Sequence, residues 1–162
     1  MLIIDGCDAT GKTSVGKCVA AKIGAIYVKP FERVDSSLIW LHKNGYYEQF
    51  VSLAETMLNH WVTQYPTEDL VFDRGWITVN AIANTECEFR RRDDVISILL
   101  TSDIDVILNR HEERNEKYCL KFLNAFQESA IKIADRFNIQ KIDTSRSSIS
   151  MVASKVYNIY EG

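Results

Sequence analysis

Within its first thirteen residues the chain reads Gly6-Cys7-Asp8-Ala9-Thr10-Gly11-Lys12-Thr13, a full match to the phosphate-loop pattern G-x-x-x-x-G-K-[ST]. This pattern constrains the fold more than any other feature. Its glycines let the backbone turn tightly enough for successive N–H groups and the next helix N-terminus to face a phosphate chain. That geometry requires a strand leading in and a helix leading out. Leu2, Ile3 and Ile4 form the continuous apolar run of a strand buried on both faces of a parallel sheet. Beyond the loop, Val15, Val19, Ala20 and Ile23 recur at helical spacing, and Gly24 is placed to end the helix. In this setting the loop and Ser14 form a cradle for a nucleoside triphosphate, with Lys12 neutralising the β and γ phosphates and the Thr13 hydroxyl turned to magnesium.

The rest of the chain alternates in the same way. Residues 25–28 predict a second strand, and the polar stretch from Pro30 to Ser37 predicts a loop over the sheet. A short helix is expected over 38–43, stopped by Asn44-Gly45, then a long amphipathic helix over 46–65 with Phe50, Leu53, Ala54, Met57, Leu58 and Trp61 on one face, closed by Pro66. Leu70, Val71 and Phe72 make a third strand ending at Asp73. A helix over 76–84 follows, and then a charged connection over 86–92 containing Arg90, Arg91 and Arg92. Strands are expected at 95–100 and 139–142, and helices at 103–114, 118–137 and 147–160. The expectation is a single domain over residues 1–162: a P-loop NTPase-type α/β three-layer sandwich around a five-stranded parallel sheet.

A length of 162 residues, 46% of them hydrophobic and 25% charged, suits one globular domain with its own core. The formal net charge of -3 gives no general attraction to a polyanion, so DNA is a possible but not a favoured acceptor. Cys7, Cys18, Cys87 and Cys119 lack the paired spacing of zinc sites or disulfide frameworks and read as reduced thiols. Apolar sequence begins at once and no run is long enough to span a bilayer, so the expectation is a cytoplasmic protein without a signal segment or membrane partner.

Outside the loop, Asp73 ends a buried-type strand, where an open α/β sheet places its ligands. Its carboxylate there is a candidate to hold magnesium, and Arg74 beside it to grip a phosphate in a fork. Gly75 allows a sharp turn after the pair. Lys29, Glu32 and Arg33 follow the second strand on the same sheet edge. Glu32 would serve as base toward a hydroxyl acceptor, whereas Lys29 and Arg33 would bind an acceptor already carrying phosphate. Arg110 and Arg114 stand four apart on one helix face, within reach of the transferring phosphate or the adenine. The arginines at 90–92 precede Asp93 and Asp94 and are partly self-neutralised. His42, His60 and His111 share no metal-ligand spacing and read as surface or cleft residues.

Taken together, IIDGCDATGKT, KPFER, FDRG, DVISILLTSDIDVILNRHEER and QKIDTSRSSISMVASKV resemble the thymidylate kinase group of the P-loop nucleoside and nucleotide kinases, over most of the chain. The resemblance implies that Lys12 and Thr13 serve the triphosphate and magnesium, that Asp8 approaches the acceptor sugar, and that Arg33 holds the acceptor phosphate. It makes Asp73 and Arg74 the pair at the reaction centre, Arg110 and Arg114 lid arginines, and Ser145 and Arg146 part of an adenine loop. Members of the group are often homodimers. Counting back from Trp61, the positions that stack on thymine and read its edge hold Thr56 and His60. The stretch after Arg114 is short and has no further arginine, and the chain is shorter than typical members, as in some viral versions. The expected activity is ATP- and magnesium-dependent phosphoryl transfer to a deoxynucleoside monophosphate. Two alternatives stand beside it: a kinase for a hydroxyl acceptor, either a deoxynucleoside or a 5-hydroxymethylpyrimidine, free or within DNA, and a nucleotide-binding regulatory module without efficient turnover.

Overall fold

A computed structural model describes residues 1–83 and 95–162. The expected helix end at Asn84, the charged connection over 86–92, Asp93, Asp94 and Cys87 lie outside the described residues. The elements run β1 (Leu2–Gly6), α1 (Lys12–Ile23), β2 (Ile26–Val28), α2 (Asp35–Lys43), α3 (Tyr47–Gln64), β3 (Leu70–Asp73), α4 (Trp76–Ala83), β4 (Ile96–Thr101), α5 (Ile104–Glu113), α6 (Leu120–Arg136), β5 (Gln140–Asp143) and α7 (Ile149–Glu161). The five strands form one parallel sheet in the order β2-β3-β1-β4-β5. From β1 at the centre the chain crosses to the edge strand β2, returns through β3, and then builds outward on the other side through β4 and β5, which leaves a crevice at the carboxyl end of β1.

Side-chain alternation along the central strands separates two apolar layers. Leu2 and Ile4 of β1, with Val71, Ile98 and Leu100, pack on Val15 and Val19 of α1 and Val152 and Val156 of α7. Ile3, Phe72 and Leu99 face the opposite way, onto Trp76 and Ile77 of α4, Ile107 of α5 and Leu123, Phe126 and Ala130 of α6. A smaller cluster joins Leu38 of α2, Phe50, Val51 and Ala54 of α3 and Val79 and Ala83 of α4. The three-layer architecture is the expected one.

One expectation fails locally. The polar stretch before residue 38 is not all loop: Glu32–Val34 make a 3-10 turn and α2 already begins at Asp35. Pro30 stops the strand but does not prevent a helix two turns later. Asp35, Ser36 and Ser37 are exposed on the outer face of the first turn of α2, where polarity is no bar to helix and an acidic residue is favourable.

Candidate functional site

The glycine-rich loop leaves β1 with Gly6 at φ 151° and enters α1 through Gly11 at φ 90°. Gly6 is required for a second reason: a Cβ there would stand 2.5 Å from the Leu100 carbonyl oxygen. Ala9 also adopts a positive φ, at 62°, so the loop carries strain of about 1 kcal/mol or more in this one residue. The buried Lys12 Nζ reaches back across the loop to donate to the Cys7 carbonyl at 2.5 Å. Burial lowers its pKa to about 8, with Arg74 pulling the same way and Asp8, Asp73 and Cys7 opposing. The buried Cys7 thiol is raised to about 11, chiefly by burial.

Two carboxylates from neighbouring strands organise the crevice. Asp73, at the end of β3, accepts from Thr13 Oγ1 at 2.5 Å and from Tyr27 Oη at 2.6 Å, both on Oδ2. Asp5, fully buried in β1, uses Oδ1 to accept from the Gly75 amide at 2.8 Å, the Thr78 amide at 3.0 Å and the Thr78 hydroxyl at 2.6 Å. It therefore caps α4 from another strand. Between these two anchors Arg74 is held at φ 80°, its amide bonded to the Ile4 carbonyl. Gly75 lies so close to β1 that a Cβ would come within 2.4 Å of Ile3. The turn aims the Arg74 guanidinium at Asp8, with which it forms an ion pair. Burial alone would raise the Asp8 carboxyl, but Arg74, Lys12 and His111 together outweigh it and hold it below the usual range.

These groups open on one cleft of about 1090 Å³. That exceeds the ~300–1,000 Å³ of an ordinary single-ligand site. Gly6 to Ala9, Gly11 to Ser14, Asp73 and Arg74 form one end. Lys29 and Glu32 line the cleft too, paired with each other at 3.8 Å, and so does Arg114. The far compartment is apolar, with Leu38, Phe50, Val79 and Ile82 as walls and Asp35, His42 and Lys43 at its edge.

Several expected site residues sit elsewhere. Arg33 is exposed and lies over the Trp61 ring, 5.9 Å from its centroid, and is not among the residues lining the cleft. His60 stands edge-on to the same ring from outside, and Thr56 turns its hydroxyl to the Ser52 carbonyl on the outer side of α3. Counting from Trp61 fails because Thr56 and His60 lie off the inward face of α3 and are exposed, while Trp61 packs against the core, donates to the Pro30 carbonyl at 3.4 Å and does not line the cleft. The aromatic that α3 does present to the cleft is Phe50. Arg110 bonds the Ala9 carbonyl at 3.0 Å, the Thr144 hydroxyl at 3.2 Å and the Thr144 carbonyl at 2.8 Å. It thus ties the phosphate loop to the β5–α7 loop, where Ser145 is fixed by Asp143 and Arg146 is exposed.

The sequence candidates omit Asp5 and Tyr27 and read His111 as a surface or cleft residue; the structure brings all three to the site. An acid at the end of a strand buried on both faces was a visible signal for Asp5. His111 is buried, with Nδ1 3.1 Å from Glu116, and lines the cleft beside Asp8; neither ring nitrogen completes a hydrogen bond among the described residues. Nothing in its spacing marked it.

Thr13 and Asp73 place two oxygen donors together at the phosphate loop. Magnesium takes one or two such protein ligands and completes its shell with substrate phosphates and water, so these residues fit that ion. No group of three or more metal-ligating side chains exists among the described residues, and this mode of binding does not need one. No helix among them is long and apolar enough to cross a membrane.

No known protein family matches this chain by sequence, and no curated protein matches it. Solved structures do. A deoxyadenosine kinase from M. mycoides with dCMP and a flexible dCDP bound superposes with TM-score 0.71 at 12% identity, over 99% of this chain and 98% of that one. A gluconokinase from Sinorhizobium meliloti 1021 gives 0.68 at 12% identity, over 99% and 90% of the two chains. A shikimate kinase from Acinetobacter baumannii in complex with shikimate gives 0.66 at 19% identity, over 99% and 92%. The chain has the P-loop kinase fold. At these identities the likeness concerns architecture, and the acceptors named for these three proteins differ in kind.

Proposed function

We propose that this chain is a P-loop phosphotransferase that moves the terminal phosphoryl group of ATP to a deoxynucleoside monophosphate. The observation that carries the reading is the convergence of Lys12, Thr13, Asp73 and Arg74 at one end of a cleft whose other end is apolar and faced by Phe50. Phosphoryl transfer asks for positioning and charge neutralisation more than covalent help. Lys12 exchanges its bond to the Cys7 carbonyl for the β and γ phosphates, and the loop amides supply further donors. Thr13, with Asp73 beside it, would hold magnesium, which would supply positive charge against the phosphates. Arg74 leaves its ion pair with Asp8 to take the transferring phosphate, and the released Asp8 carboxylate faces the acceptor sugar. Phe50, Leu38, Val79 and Ile82 would enclose a planar base, with His42 at its edge. Lys29, Arg74 and Arg114 replace Arg33 as partners of the acceptor phosphate. Arg146, at the mouth of the β5–α7 loop, would lie on the adenine side, which Arg110 holds in place.

A second reading draws on Glu32 and Asp35, both in the cleft, and on the outward turn of Arg33. With the expected phosphate-binding arginine elsewhere, a carboxylate base acting on a hydroxyl acceptor gains weight. ADP release measured across deoxynucleosides, their monophosphates and short DNA containing 5-hydroxymethylpyrimidines separates the two. Stimulation by a monophosphate supports the first reading; stimulation by a nucleoside or DNA alone replaces it with the second. Silence across the panel, with ATP still bound, returns the chain to a nucleotide-binding module.

A further inference from the structure

Alternation along the edge of the sheet puts Tyr27 of β2 level with Val71 of β3, in parallel register. Val71 faces α1, and Asp73, two residues on, faces the same side. Tyr27 therefore extends toward the N-terminus of α1, and its hydroxyl meets Asp73 Oδ2 at 2.6 Å. The Thr13 hydroxyl meets the same oxygen at 2.5 Å. No hydrogen bond among the described residues falls on the other oxygen, Oδ1. The ring has a made seat: at Gly16 on α1 a Cβ would come within 3.0 Å of Tyr27 Cε2, and Lys17 Nζ lies 5.8 Å from the ring centroid.

We infer that Tyr27 is a positioning residue for Asp73, fixing the plane of that carboxylate so that Oδ1 is presented to a magnesium–nucleotide complex at the phosphate loop. The inference rests on the nucleotide and magnesium reading proposed above. A terminal carboxylate otherwise turns broadly about its last torsion. Two donors on one oxygen hold it, and the second oxygen keeps its lone pairs for water or cation. Thr13 alone cannot be a constant donor, because its oxygen is also the loop's ligand to magnesium. Tyr27 lies outside the loop and has no such second duty. A phenol is protonated at neutral pH and donates, and the carboxylate oxygen it meets here can only accept. Groups that orient metal ligands in this way typically change metal affinity by about 10–100-fold when lost.

The test is binding, with N-methylanthraniloyl-ADP as the fluorescent probe and no acceptor present. Wild type is titrated with the probe in EDTA, and magnesium is then titrated into the complex. Tyr27→Phe keeps the ring against Gly16 and removes only the hydroxyl. The expected result is unchanged probe affinity in EDTA, an unchanged melting temperature, and a magnesium midpoint weakened about tenfold. In an Asp73→Asn background the same change should shift the midpoint by less than about twofold, since Tyr27 then has no carboxylate to orient. A Tyr27→Phe midpoint equal to or tighter than wild type overturns the inference. An equal loss in EDTA and in magnesium also overturns it, because that pattern marks a general packing role. If wild-type affinity itself does not respond to magnesium, it is the underlying metal reading that fails.

Discussion

The two ends of the cleft are built differently. At the phosphate end almost every polar group is engaged by another part of the chain: Lys12 by Cys7, Arg74 by Asp8, Thr13 and Tyr27 by Asp73, Gly75 and Thr78 by Asp5, and Arg110 by Ala9 and Thr144. At the acceptor end the walls are apolar side chains of α2, α3 and α4, and the charged groups at the rim are solvent-exposed. On the reading proposed above, the first end is a preorganised electrostatic device for a phosphoryl donor. The second is a shape, and shape is what selects an acceptor. Solved structures of the same architecture act on acceptors as unlike as deoxynucleosides and shikimate, in keeping with that division.

The comparison breaks most directly at Lys12. Lys12→Ala should reduce kcat by about 10²–10³-fold, since it removes a charge aimed at the transferring group in a water-poor site. Its melting temperature should not fall, because the substitution also relieves the buried ammonium. Steady-state ADP release and thermal melting check both halves, and near-normal turnover would show that the donor phosphates bind elsewhere.

Asp5 tests whether the phosphate end depends on its scaffold. Burial raises the Asp5 carboxyl, and Oδ2 is buried with no hydrogen-bond partner among the described residues. Asp5→Asn should therefore hold stability within about 1 kcal/mol, since an amide oxygen still accepts the three donors. Asp5→Ala strands two amides and a hydroxyl and should cost about 3 kcal/mol. It should also lower kcat through Arg74, whose strained turn it no longer holds. Urea unfolding of both variants decides; equal losses would mean that accepting these three donors is not what Asp5 contributes.

At the acceptor end, Phe50→Leu keeps most of the buried volume and should cost under about 1.5 kcal/mol of stability. It should raise the acceptor KM about tenfold by removing the flat face, while the ATP KM stays unchanged. Arg33→Ala and His60→Ala should change the acceptor KM less than about twofold, being outside the cleft. A large Arg33 effect would mean that the Glu32–Val34 turn swings inward when acceptor binds.

The same contrast explains what could be read from sequence. The phosphate loop is a backbone motif, so eight residues in order specify it, and the flanking apolar runs place it at a strand–helix junction. Asp73 was likewise legible from its position at the end of an apolar strand. Asp5 and Tyr27 required knowing which strands are neighbours, because each acts across the sheet on an element far away in sequence. Once the order β2-β3-β1 is known, alternation alone sends Asp5 to α4 and Tyr27 to α1. The acceptor wall depends on the rotation of α3 about its axis. One helical residue covers about 100° of arc: Phe50 and Trp61, eleven residues apart, share the inward face, whereas Thr56 and His60 lie off it and are exposed.

The smallest expected effect is a proton count, and it tests whether the phosphate end is as prepared as its geometry suggests. Burial brings the Lys12 ammonium of the free protein down to about 8, with Arg74 assisting. A bound polyphosphate supplies negative charge at Nζ and should return the lysine toward its ordinary pKa of 10.5. Between these values the free protein has released the proton and the complex retains it, so nucleotide binding at pH 9 should take up close to one proton, and at pH 7 almost none. Affinity should correspondingly fall by up to about tenfold per pH unit above pH 8. The unfolded chain also keeps its proton in this window, so the same linkage makes the free protein gain stability from this lysine as pH rises from about 8 to 10.5. Calorimetry at pH 9 in two buffers of different ionisation enthalpy reads the uptake directly. Lys12→Met should abolish it. Uptake that survives this change would belong to another group, and the phosphate end would then be less committed to Lys12 than its short bond to the Cys7 carbonyl implies.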